Sequence, residues 1–259
     1  MSILKAFDLT GKVSVVTGGG SGLGRMMAIG LAEAGSDIII CSRKLEKCEA
    51  TADEIEKLGV KTLATQCDLN CDEDLDQLVS NTIKKFGRIN VLVNNSGLTW
   101  AGPPEDIKIE NWKKVIDVNI TGTFRCTQKV GREMIRQKSG KIINISSAAG
   151  LGGTDPKYLD SLPYNTSKGA LIAFTKDLAV KLAKYNINVN CIAPGWFYTK
   201  MTKLVMEHEA DIMRSRLLIK RFGVEHDIKG AVIFLASNAS DYMTGQIMNV
   251  DGGLSAWAS

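Results

Sequence analysis

The sequence predicts an α/β domain in which a doubly wound parallel sheet carries helices on both faces. Short apolar runs alternate with longer segments that have apolar residues at helical spacing. Strand, helix and strand in repeated succession predict parallel strands joined by helical crossovers, which is the Rossmann architecture. Uninterrupted apolar runs such as Asp37–Cys41 are typical of strands buried on both sides. No Pro- or Ser-rich linker interrupts the pattern, so we expect residues 1–259 to form a single domain.

The strands and helices are predicted from these runs and segments. The predicted strands are Val13–Thr17, Asp37–Cys41, Lys61–Gln66, Asn90–Asn94, Lys141–Ser146, Asn188–Ala193 and Gln246–Val250. Helical spacing of apolar residues predicts helices over Leu45–Leu58, Asp72–Phe86, Thr121–Gln137 and Tyr164–Lys184. The last two helices carry apolar residues on more than one face, for example Leu171, Phe174 and Leu178, which favours burial against a second subunit.

Composition excludes several classes of protein. The net charge of +4, from 32 basic and 28 acidic residues, is too balanced to indicate a nucleic-acid partner. The first eight residues lack the apolar core of a signal peptide, and no stretch approaches the roughly 18 apolar residues of a membrane helix. We therefore expect a cytoplasmic protein that does not bind membranes. The six cysteines have neither a disulfide-scaffold nor a zinc spacing, so we expect free thiols and no metal.

A glycine-rich turn joins the first predicted strand to the first predicted helix. It extends from Thr17 to Gly24, with Gly18, Gly22 and Gly24 in the spacing Gly-x3-Gly-x-Gly. Glycines allow a tight turn and let backbone N–H groups approach a pyrophosphate at the helix N-terminus. The spacing differs from the Gly-x-Gly-x2-Gly dinucleotide fingerprint, so a simple mobile turn is the alternative. Ser21 and Leu23 complete the candidate phosphate-binding turn.

Three motifs in this order resemble those of the short-chain dehydrogenase/reductase family. They are the turn Thr-Gly-x3-Gly-x-Gly, the stretch Asn94-Asn95-Ser96-Gly97 after the fourth strand, and Tyr164-x3-Lys168 at the start of a helix. Asp117-Val-Asn119, Ser146-Ser147, Pro194-Gly195 and Asp251-Gly-Gly253 extend the resemblance over essentially the whole chain. Ser96 departs from the alanine that is usual there. The loops look most similar to gluconate 5-dehydrogenase-like and 3-oxoacyl reductase-like members.

The resemblance implies an oxidoreductase that moves a hydride between a nicotinamide cofactor and a ketone or secondary alcohol. Such a reaction needs a proton donor whose pKa is near the working pH. A free tyrosine has a pKa near 10, and a fixed cation lowers it by stabilising the phenolate. Tyr164 and Lys168 are four residues apart and share one helix face, so we expect Tyr164 to be the acid/base and Lys168 the cation. In isolation this pair would be an ordinary helix surface pair, but the accompanying motifs favour catalysis.

The family resemblance implies roles for further residues. Ser147 would hydrogen-bond the substrate oxygen, and Asn119 would hold a water in contact with Lys168. Asp68 would bind the adenine amine, with Leu69 lining its pocket, although Asp68 could instead cap the following helix. The Phe197 backbone would hold the cofactor's carboxamide, and Thr199 would reach the carboxamide or the pyrophosphate. The remaining candidate cofactor contacts are Asn95, Ser96, Gly97, Tyr164, Lys168, Pro194 and Gly195.

The end of the second strand predicts which nicotinamide cofactor is bound. An NAD-preferring site usually has a carboxylate there, which accepts hydrogen bonds from the ribose 2′-OH and repels a 2′-phosphate. This chain has Ser42 and Arg43, a hydroxyl and a guanidinium that suit a phosphate. We therefore favour NADP(H), with NAD(H) as the alternative in case Arg43 merely stacks on the adenine or faces solvent.

Substrate, assembly and an alternative function complete the sequence-based expectations. Residues 151–163 form a longer loop than is usual in the family, and the segment Lys200–Phe222 resembles its mobile substrate lid, or else is an ordinary helix pair. Lys184-Tyr185-Asn186 stands where carrier-protein-dependent members tend to have an arginine, which argues against carrier-protein docking. We expect a small-molecule ketone or alcohol substrate and a homotetramer. A nicotinamide-binding regulatory protein on the same fold is the alternative.

Overall fold

A single parallel sheet of seven strands organises the computed structural model, which describes residues 2–200 and 202–256. The strands are β1 (Val13–Thr17), β2 (Asp37–Ser42), β3 (Thr62–Gln66), β4 (Val91–Asn94), β5 (Gly140–Ile145), β6 (Ile187–Pro194) and β7 (Ile247–Val250). Their order across the sheet is β3-β2-β1-β4-β5-β6-β7. Each predicted strand is present to within one residue at either end, and the predicted doubly wound α/β fold is confirmed.

Ten α-helices connect or follow the strands in the described part of the chain. They are α1 (Gly22–Glu33), α2 (Leu45–Glu56), α3 (Asp72–Phe86), α4 (Ile109–Ile116), α5 (Thr123–Gln137), α6 (Pro156–Leu159), α7 (Leu162–Leu182), α8 (Lys203–His208), α9 (Ala210–Ser215) and α10 (Glu225–Ala236). Helix α3 has the bounds that the sequence predicts, because residues that favour a helix start and a helix end stand at its two termini. Three acidic residues occupy its first turn, two lysines occupy its last, and Gly87 ends it at a φ of 78°.

The sheet separates two apolar cores. On one face, α1, α2 and α10 pack against the strands through residues such as Met27, Ile55 and Val232. On the other face, α3, α5 and α7 pack through residues such as Leu78, Val130 and Ala179. Strands β1, β4 and β5 are buried along their whole length, including their polar residues, as expected for central strands of a parallel sheet covered on both faces. In the described part of the chain, every helix is too short or too polar to cross a bilayer.

The helix predicted over Thr121–Gln137 is the second part of a longer helical stretch that starts at Ile109. Helices α4 and α5 are joined without a break by a π-helical turn, Asp117–Gly122. A π turn closes i→i+5 hydrogen bonds and shifts the phase of the side chains, so a 3.6-residue spacing cannot follow it. Asn119 lies inside this turn and is fully buried. Such turns occur often at functional sites.

Polar side chains form a buried chain of hydrogen bonds between the sheet and the helices on one face. Asn94 and Asn144 are paired residues on neighbouring strands, and the Nδ2 of Asn94 donates to the Oδ1 of Asn144 at 2.9 Å. The same Nδ2 donates to Thr127 Oγ1 on α5 at 2.8 Å, and Asn144 Nδ2 donates to Thr175 Oγ1 on α7 at 2.9 Å. Because an unpaired buried amide is costly, these bonds orient both helices on the sheet.

The segment Lys200–Phe222 contains the two short helices α8 and α9, consistent with the predicted helix pair. Position 201 of this segment lies outside the described residues. Two ion pairs connect the segment to the long loop after β5: Lys157 Nζ lies 3.9 Å from Glu209 Oε2, and Arg216 lies 3.7 Å from Asp155 Oδ2. The loop and the helix pair therefore face each other across one side of the sheet's carboxyl edge.

Candidate active site

The candidate site lies at the carboxyl ends of the central strands. The chain reverses its direction of winding between β1 and β4, because β1 is followed by β2 and β3 on one side while β4 begins the other half. In open parallel sheets the loops on either side of such a point diverge and leave a crevice, which is where ligands bind. The glycine turn after β1 and the Asn-Asn-Ser-Gly stretch after β4 both open into this crevice.

The glycine turn has the backbone conformation that its sequence predicts. Gly18 and Gly22 have φ angles of 67° and 54°, in the left-handed region that side chains disfavour. Helix α1 starts at Gly22, and its N-cap Ser21 is extended and makes no side-chain capping bond. The first N–H groups of α1 are therefore available to an anionic group, and the helix dipole favours negative charge there.

Gly24 allows the turn to lie directly against the loop after β4. A Cβ atom at position 24 would overlap the Gly18 carbonyl oxygen and the Asn95 Nδ2, and would lie 2.8 Å from the Gly18 carbonyl carbon. Asn95 Nδ2 donates to the carbonyl oxygens of Thr17 and Gly18 at 3.0 and 3.3 Å. Thr17 Oγ1 in turn accepts hydrogen bonds from the backbone N–H groups of Asn95 and Ser96, each at 3.0 Å.

Thr17 is thus a structural member of the site that the sequence analysis quoted in a motif but gave no role. Its hydroxyl connects two loops that are more than seventy residues apart in the chain. The threonine that opens the glycine motif was the available signal for this role.

At the end of β2, the two residues expected to select the cofactor differ in whether their polar groups are free to contact a phosphate. The Ser42 hydroxyl is engaged in its own turn: it donates to the Lys44 carbonyl at 3.0 Å and accepts from the Lys44 N–H at 3.2 Å. Arg43 is exposed. Besides Arg43, the cationic residue Lys47 lies beside the glycine turn, since a Cβ at Gly20 would be 3.0 Å from Lys47 Cβ. Within the described residues, no carboxylate forms an ion pair with Arg43, Lys44 or Lys47.

Lys47 was missed by the sequence analysis because its approach to Gly20 results from the packing of α2 on the turn. Next to this region, Asp68 does not cap α3, which starts at Asp72. The Asp68 carboxylate instead accepts the backbone N–H of Asn70 at 3.0 Å. Leu69 is 5% exposed and packs against Gly122 of the π turn.

The catalytic candidates meet where α7 passes the ends of β4 and β5. Ser147 lies close enough to the phenol of Tyr164 to lower its pKa, and its Oγ accepts the Ala149 N–H at 3.2 Å. Lys168 is buried, with Nζ 5.5 Å from the Tyr164 ring centroid and donating to the Ile145 carbonyl at 2.7 Å. Ser146, the other serine of the pair, is occupied elsewhere, because its Oγ donates to the Lys168 carbonyl at 2.7 Å. Of the two serines, Ser147 is therefore the one that acts on the phenol, and its catalytic role stays a prediction.

Burial opposes the charged forms of both reactive groups. Burial raises the pKa of Tyr164, and the hydrogen bond with Ser147 lowers it by less. Burial also lowers the pKa of Lys168 to about 8. The sequence led us to expect a lowered tyrosine pKa, and in the protein alone the direction is the opposite, because desolvation of the phenol outweighs the lowering effect of Ser147. A charged Lys168 and a charged Tyr164 would each stabilise the other's ion.

Asn119 holds the loop after β4 with its side chain. Its Oδ1 accepts the Leu98 N–H at 2.9 Å and its Nδ2 donates to the Leu98 carbonyl at 3.0 Å. A Cβ placed on Gly97 would be 3.4 Å from Asn119 Oδ1 and 3.6 Å from Lys168 Nζ. The amide of Asn119 and the ammonium of Lys168 thus flank the same glycine, and the expected water relay between them remains a prediction.

The loop after β6 closes the crevice on the remaining side. Pro194 ends β6, and Gly195 packs so closely that a Cβ there would be 2.7 Å from Asp251 Cα. The Phe197 carbonyl, expected to contact the cofactor, accepts the Thr202 hydroxyl at 2.6 Å. Thr199 faces the glycine turn, since a Cβ on Gly22 would be 3.6 Å from its Cβ. This contact favours the pyrophosphate side for Thr199.

No cluster of three His, Cys, Asp or Glu side chains able to hold a metal ion occurs in residues 2–200 and 202–256. The polar groups of the site are the Tyr164 phenol with the Ser147 hydroxyl, and the Lys168 ammonium and Asn119 amide that flank the glycine of the β4 loop. This set can move a proton and bind an oxygen atom.

Comparison with known proteins agrees with this geometry. A family model described as short chain dehydrogenase matches residues 12–210. The chain is 38% identical over 248 residues to 3-oxoacyl-[acyl-carrier-protein] reductase from Synechocystis sp., covering 95% of this chain and 98% of that protein. It is 37% identical over 250 residues to 5-keto-D-gluconate 5-reductase from Escherichia coli K12, covering 96% and 97%.

A solved structure shares the whole architecture. Gluconate 5-dehydrogenase from Burkholderia cenocepacia J2315, crystallised in complex with NADP and tartrate, superposes with a TM-score of 0.93 at 34% identity and covers 99% of this chain and 100% of that one. The family resemblance predicted from the sequence motifs is thereby confirmed.

Replacing Gly24 by alanine will destabilise the protein, because the new Cβ meets backbone atoms that cannot rotate away. We expect the Gly24→Ala variant to lose about 1–3 kcal/mol of unfolding free energy, the usual cost of overpacking. Urea denaturation measures it. Gly131→Ala on α5 is the matched control: a Cβ there meets no atom within 4 Å, so its stability should be unchanged or slightly higher. Equal stability of the two variants would contradict the interlocked turn.

Proposed function

This chain belongs to the short chain dehydrogenase family of oxidoreductases, and we propose that it transfers a hydride between NADP(H) and a ketone or secondary alcohol, with Tyr164 as the general acid/base. The observation that carries the proposal is the grouping of Tyr164 with Ser147, which lowers its pKa, and with Lys168, whose Nζ lies 5.5 Å from the phenol ring and also approaches Gly97 of the β4 loop. The curated relatives named above are reductases of keto compounds, which supports the same substrate class.

The residues of the crevice fit a nicotinamide dinucleotide. The uncapped first turn of α1 and the positive φ angles of Gly18 and Gly22 leave N–H groups directed at a pyrophosphate. Gly97 leaves room beside Lys168 Nζ, which can reach a ribose hydroxyl there. When bound, the nicotinamide supplies or accepts the hydride.

The chain's own residues manage the proton and the oxygen. In the reducing direction, the Tyr164 phenol donates its proton to the carbonyl oxygen as negative charge develops there. The Ser147 hydroxyl, which lies near the phenol, turns its single proton to that oxygen and donates a hydrogen bond to it. Lys168, whose Nζ lies 5.5 Å from the centroid of the Tyr164 ring, then stabilises the phenolate at a position where burial removes competing water. In the oxidising direction the same groups act in reverse.

Tyr164→Phe will abolish turnover while leaving cofactor affinity nearly unchanged. The phenol donates to the substrate, whereas the cofactor is held by the glycine turn and Lys168. General acid catalysis is typically worth about 10²–10⁴ in rate. We expect a loss of that size in kcat with a common ketone, and a cofactor-fluorescence titration unchanged within about twofold, since one absent hydroxyl does not touch the binding groups.

The control is Tyr185→Phe, since Tyr185 also stacks under a lysine, Lys184, at 5.1 Å but lies at the far end of α7. Its kcat should equal that of the wild type. If Tyr164→Phe keeps more than about a tenth of wild-type kcat, the general-acid role is rejected. Turnover also excludes the alternative of a regulatory protein that only binds the cofactor.

The preference for NADP(H) over NAD(H) rests on the charge around the end of β2. The sequence indicated one cation, Arg43, and the structure adds Lys47 beside Gly20 of the phosphate turn. Neither pairs with a carboxylate in the described chain, so both can meet a 2′-phosphate. Because the Ser42 hydroxyl is already hydrogen-bonded to the Lys44 backbone, the two cations, and not Ser42, supply most of the attraction for a 2′-phosphate.

We expect higher kcat/KM with NADPH than with NADH, and a reversed order in Ser42→Asp. A carboxylate at position 42 would confront the 2′-phosphate, and such like-charge contact costs several kcal/mol. Ser42→Asn introduces a side chain of the same size as aspartate without its charge, and this variant should keep the NADPH preference. Lys47→Ala should lower kcat/KM for NADPH about tenfold and leave NADH unchanged, whereas Lys57→Ala at the opposite end of α2 should affect neither. A wild-type preference for NADH above about tenfold would overturn this interpretation.

We propose a homotetramer, supported by an exposed apolar surface on α5 and α7. Phe124 and Phe174 form an edge-to-face pair at 6.5 Å with Phe124 49% exposed, and Val180 is 79% exposed. The residues first considered for this surface are partly internal: Leu171 is buried, and Leu178 packs on the subunit's own core. Exposed aromatic and aliphatic side chains on adjacent helices are typical of a subunit contact.

Light scattering of the wild type at micromolar concentration should therefore give about four times the 28.1 kDa chain mass. The double variant Phe124→Asp/Val180→Asp should give a smaller species, because burying two carboxylates in an apolar contact is unfavourable. Leu58→Asp removes a similarly exposed apolar side chain, 45% exposed, from the turn after α2 and should leave the assembly intact. A stable wild-type monomer would reject the proposal.

A further inference from the structure

We propose that Ser167 is a positioning residue for the reaction centre: its hydroxyl fixes the side-chain amide of Asn119 against the helix that carries Tyr164 and Lys168. The inference rests on the function proposed above, since it concerns the same site. Ser167 lies between the two catalytic candidates on α7, but its side chain points away from the phenol toward the π turn, where it meets Asn119.

The hydrogen bonds of Ser167 leave its hydroxyl no rotational freedom. Its Oγ donates its one proton to the Tyr164 carbonyl at 2.7 Å and accepts a proton from Asn119 Nδ2 at 2.8 Å. Ser167 and Asn119 are both fully buried. Because no solvent reaches this point, the Asn119 proton has no substitute acceptor if the hydroxyl is removed.

Asn119 has one orientation that satisfies all of its neighbours. Its second amide proton goes to the Leu98 carbonyl at 3.0 Å, and its Oδ1 accepts the Leu98 N–H at 2.9 Å. A rotation of the amide by half a turn would place donor against donor and acceptor against acceptor at Leu98. Ser167 adds a third bond that only the observed orientation can make, because its lone pair needs an N–H.

This orientation matters to Lys168. The Oδ1 of Asn119 and the Nζ of Lys168 both lie near the Cα of Gly97, 3.4 and 3.6 Å from the position of an added Cβ. In the observed orientation the amide oxygen occupies the side of Gly97 that Lys168 Nζ also approaches, whereas the rotated amide would place its N–H protons at that position. A buried ammonium is strongly affected by the amide dipole, because the surroundings provide little screening. Ser167 therefore acts on the chemistry through Asn119.

Thr175 provides a matched control on the same helix. Its Oγ1 donates to a backbone carbonyl of the preceding turn, Leu171, at 2.7 Å and accepts from the amide of Asn144 at 2.9 Å. It is also fully buried. Thr175 thus makes the same two types of bond as Ser167, but two turns farther along α7, and its amide partner belongs to the sheet interior. A purely structural role predicts equal effects of the two replacements.

The experiment compares Ser167→Ala, Thr175→Ala, Asn119→Ala and the double variant Ser167→Ala/Asn119→Ala. Each purified protein is assayed with NADPH and a ketone that the wild type reduces, and its unfolding by urea is measured. Ser167→Ala should lower kcat about 10- to 100-fold, the range caused by small misplacements, with KM within about twofold of wild type. Thr175→Ala should be similarly destabilised and retain wild-type kcat. In the Asn119→Ala background, removing the Ser167 hydroxyl should cause no further loss.

An isosteric pair separates the hydroxyl from the shape of the side chain. Ser167→Thr and Ser167→Val add the same volume, and only threonine keeps the hydroxyl, so threonine should retain more kcat than valine. The proposal is overturned if Ser167→Ala keeps kcat within about twofold of wild type, if Thr175→Ala loses as much activity, or if the losses from Ser167 and Asn119 simply multiply.

A wild type that is inactive with every ketone tested would contradict the proposed function, but not the positioning of Asn119 by Ser167. That positioning is then tested by amide hydrogen exchange. In Ser167→Ala the Leu98 N–H, held by Asn119 Oδ1, should exchange faster than in the wild type and in Thr175→Ala. Unchanged protection of Leu98 would overturn it.

Discussion

The side-chain amide of Asn119 makes hydrogen bonds to two segments that lie on either side of it in the chain, the loop at Leu98 and the helix at Ser167. The amide is fully buried, so each of its polar atoms must find a partner in the protein. Its bonds therefore fix the distance between the loop after β4 and helix α7. The π turn is the local distortion that directs Asn119 into this position from a helix that is otherwise regular.

The same exclusion of water determines the charges at the reaction centre. Burial raises the pKa of Tyr164 and lowers the pKa of Lys168 to about 8, so each group is biased toward its neutral form. Two groups that disfavour charge separately favour it together when they are close, because a low local dielectric strengthens their attraction. A phenol held protonated until the substrate arrives, beside a cation that favours its ionisation, suits a group that must both donate and accept a proton.

The stretch Asn94–Leu98 connects the two ends of the site. At one end Asn95 and Thr17 join it to the glycine turn, and at the other Asn119 holds Leu98 beside Lys168. Gly24 has no side chain because a Cβ there would overlap the Gly18 carbonyl and Asn95, whereas Gly97 leaves space beside Asn119 and Lys168. A shift of this stretch would therefore move the glycine turn and the surroundings of Lys168 at once, so one short loop connects the proposed cofactor site with the proposed acid/base.

The sequence by itself determined the strands to within one residue and the position of the glycine turn, since apolar periodicity and glycine spacing are local properties of a chain. It also indicated the family, because three motifs in a fixed order carry more information than any one of them. Only the tertiary structure revealed the π turn, the position of Lys47 beside Gly20 and the bond between Ser167 and Asn119. These features depend on which elements pack together across the sheet. Only the structure, too, set the direction of the Tyr164 pKa, because desolvation depends on every atom that surrounds the phenol.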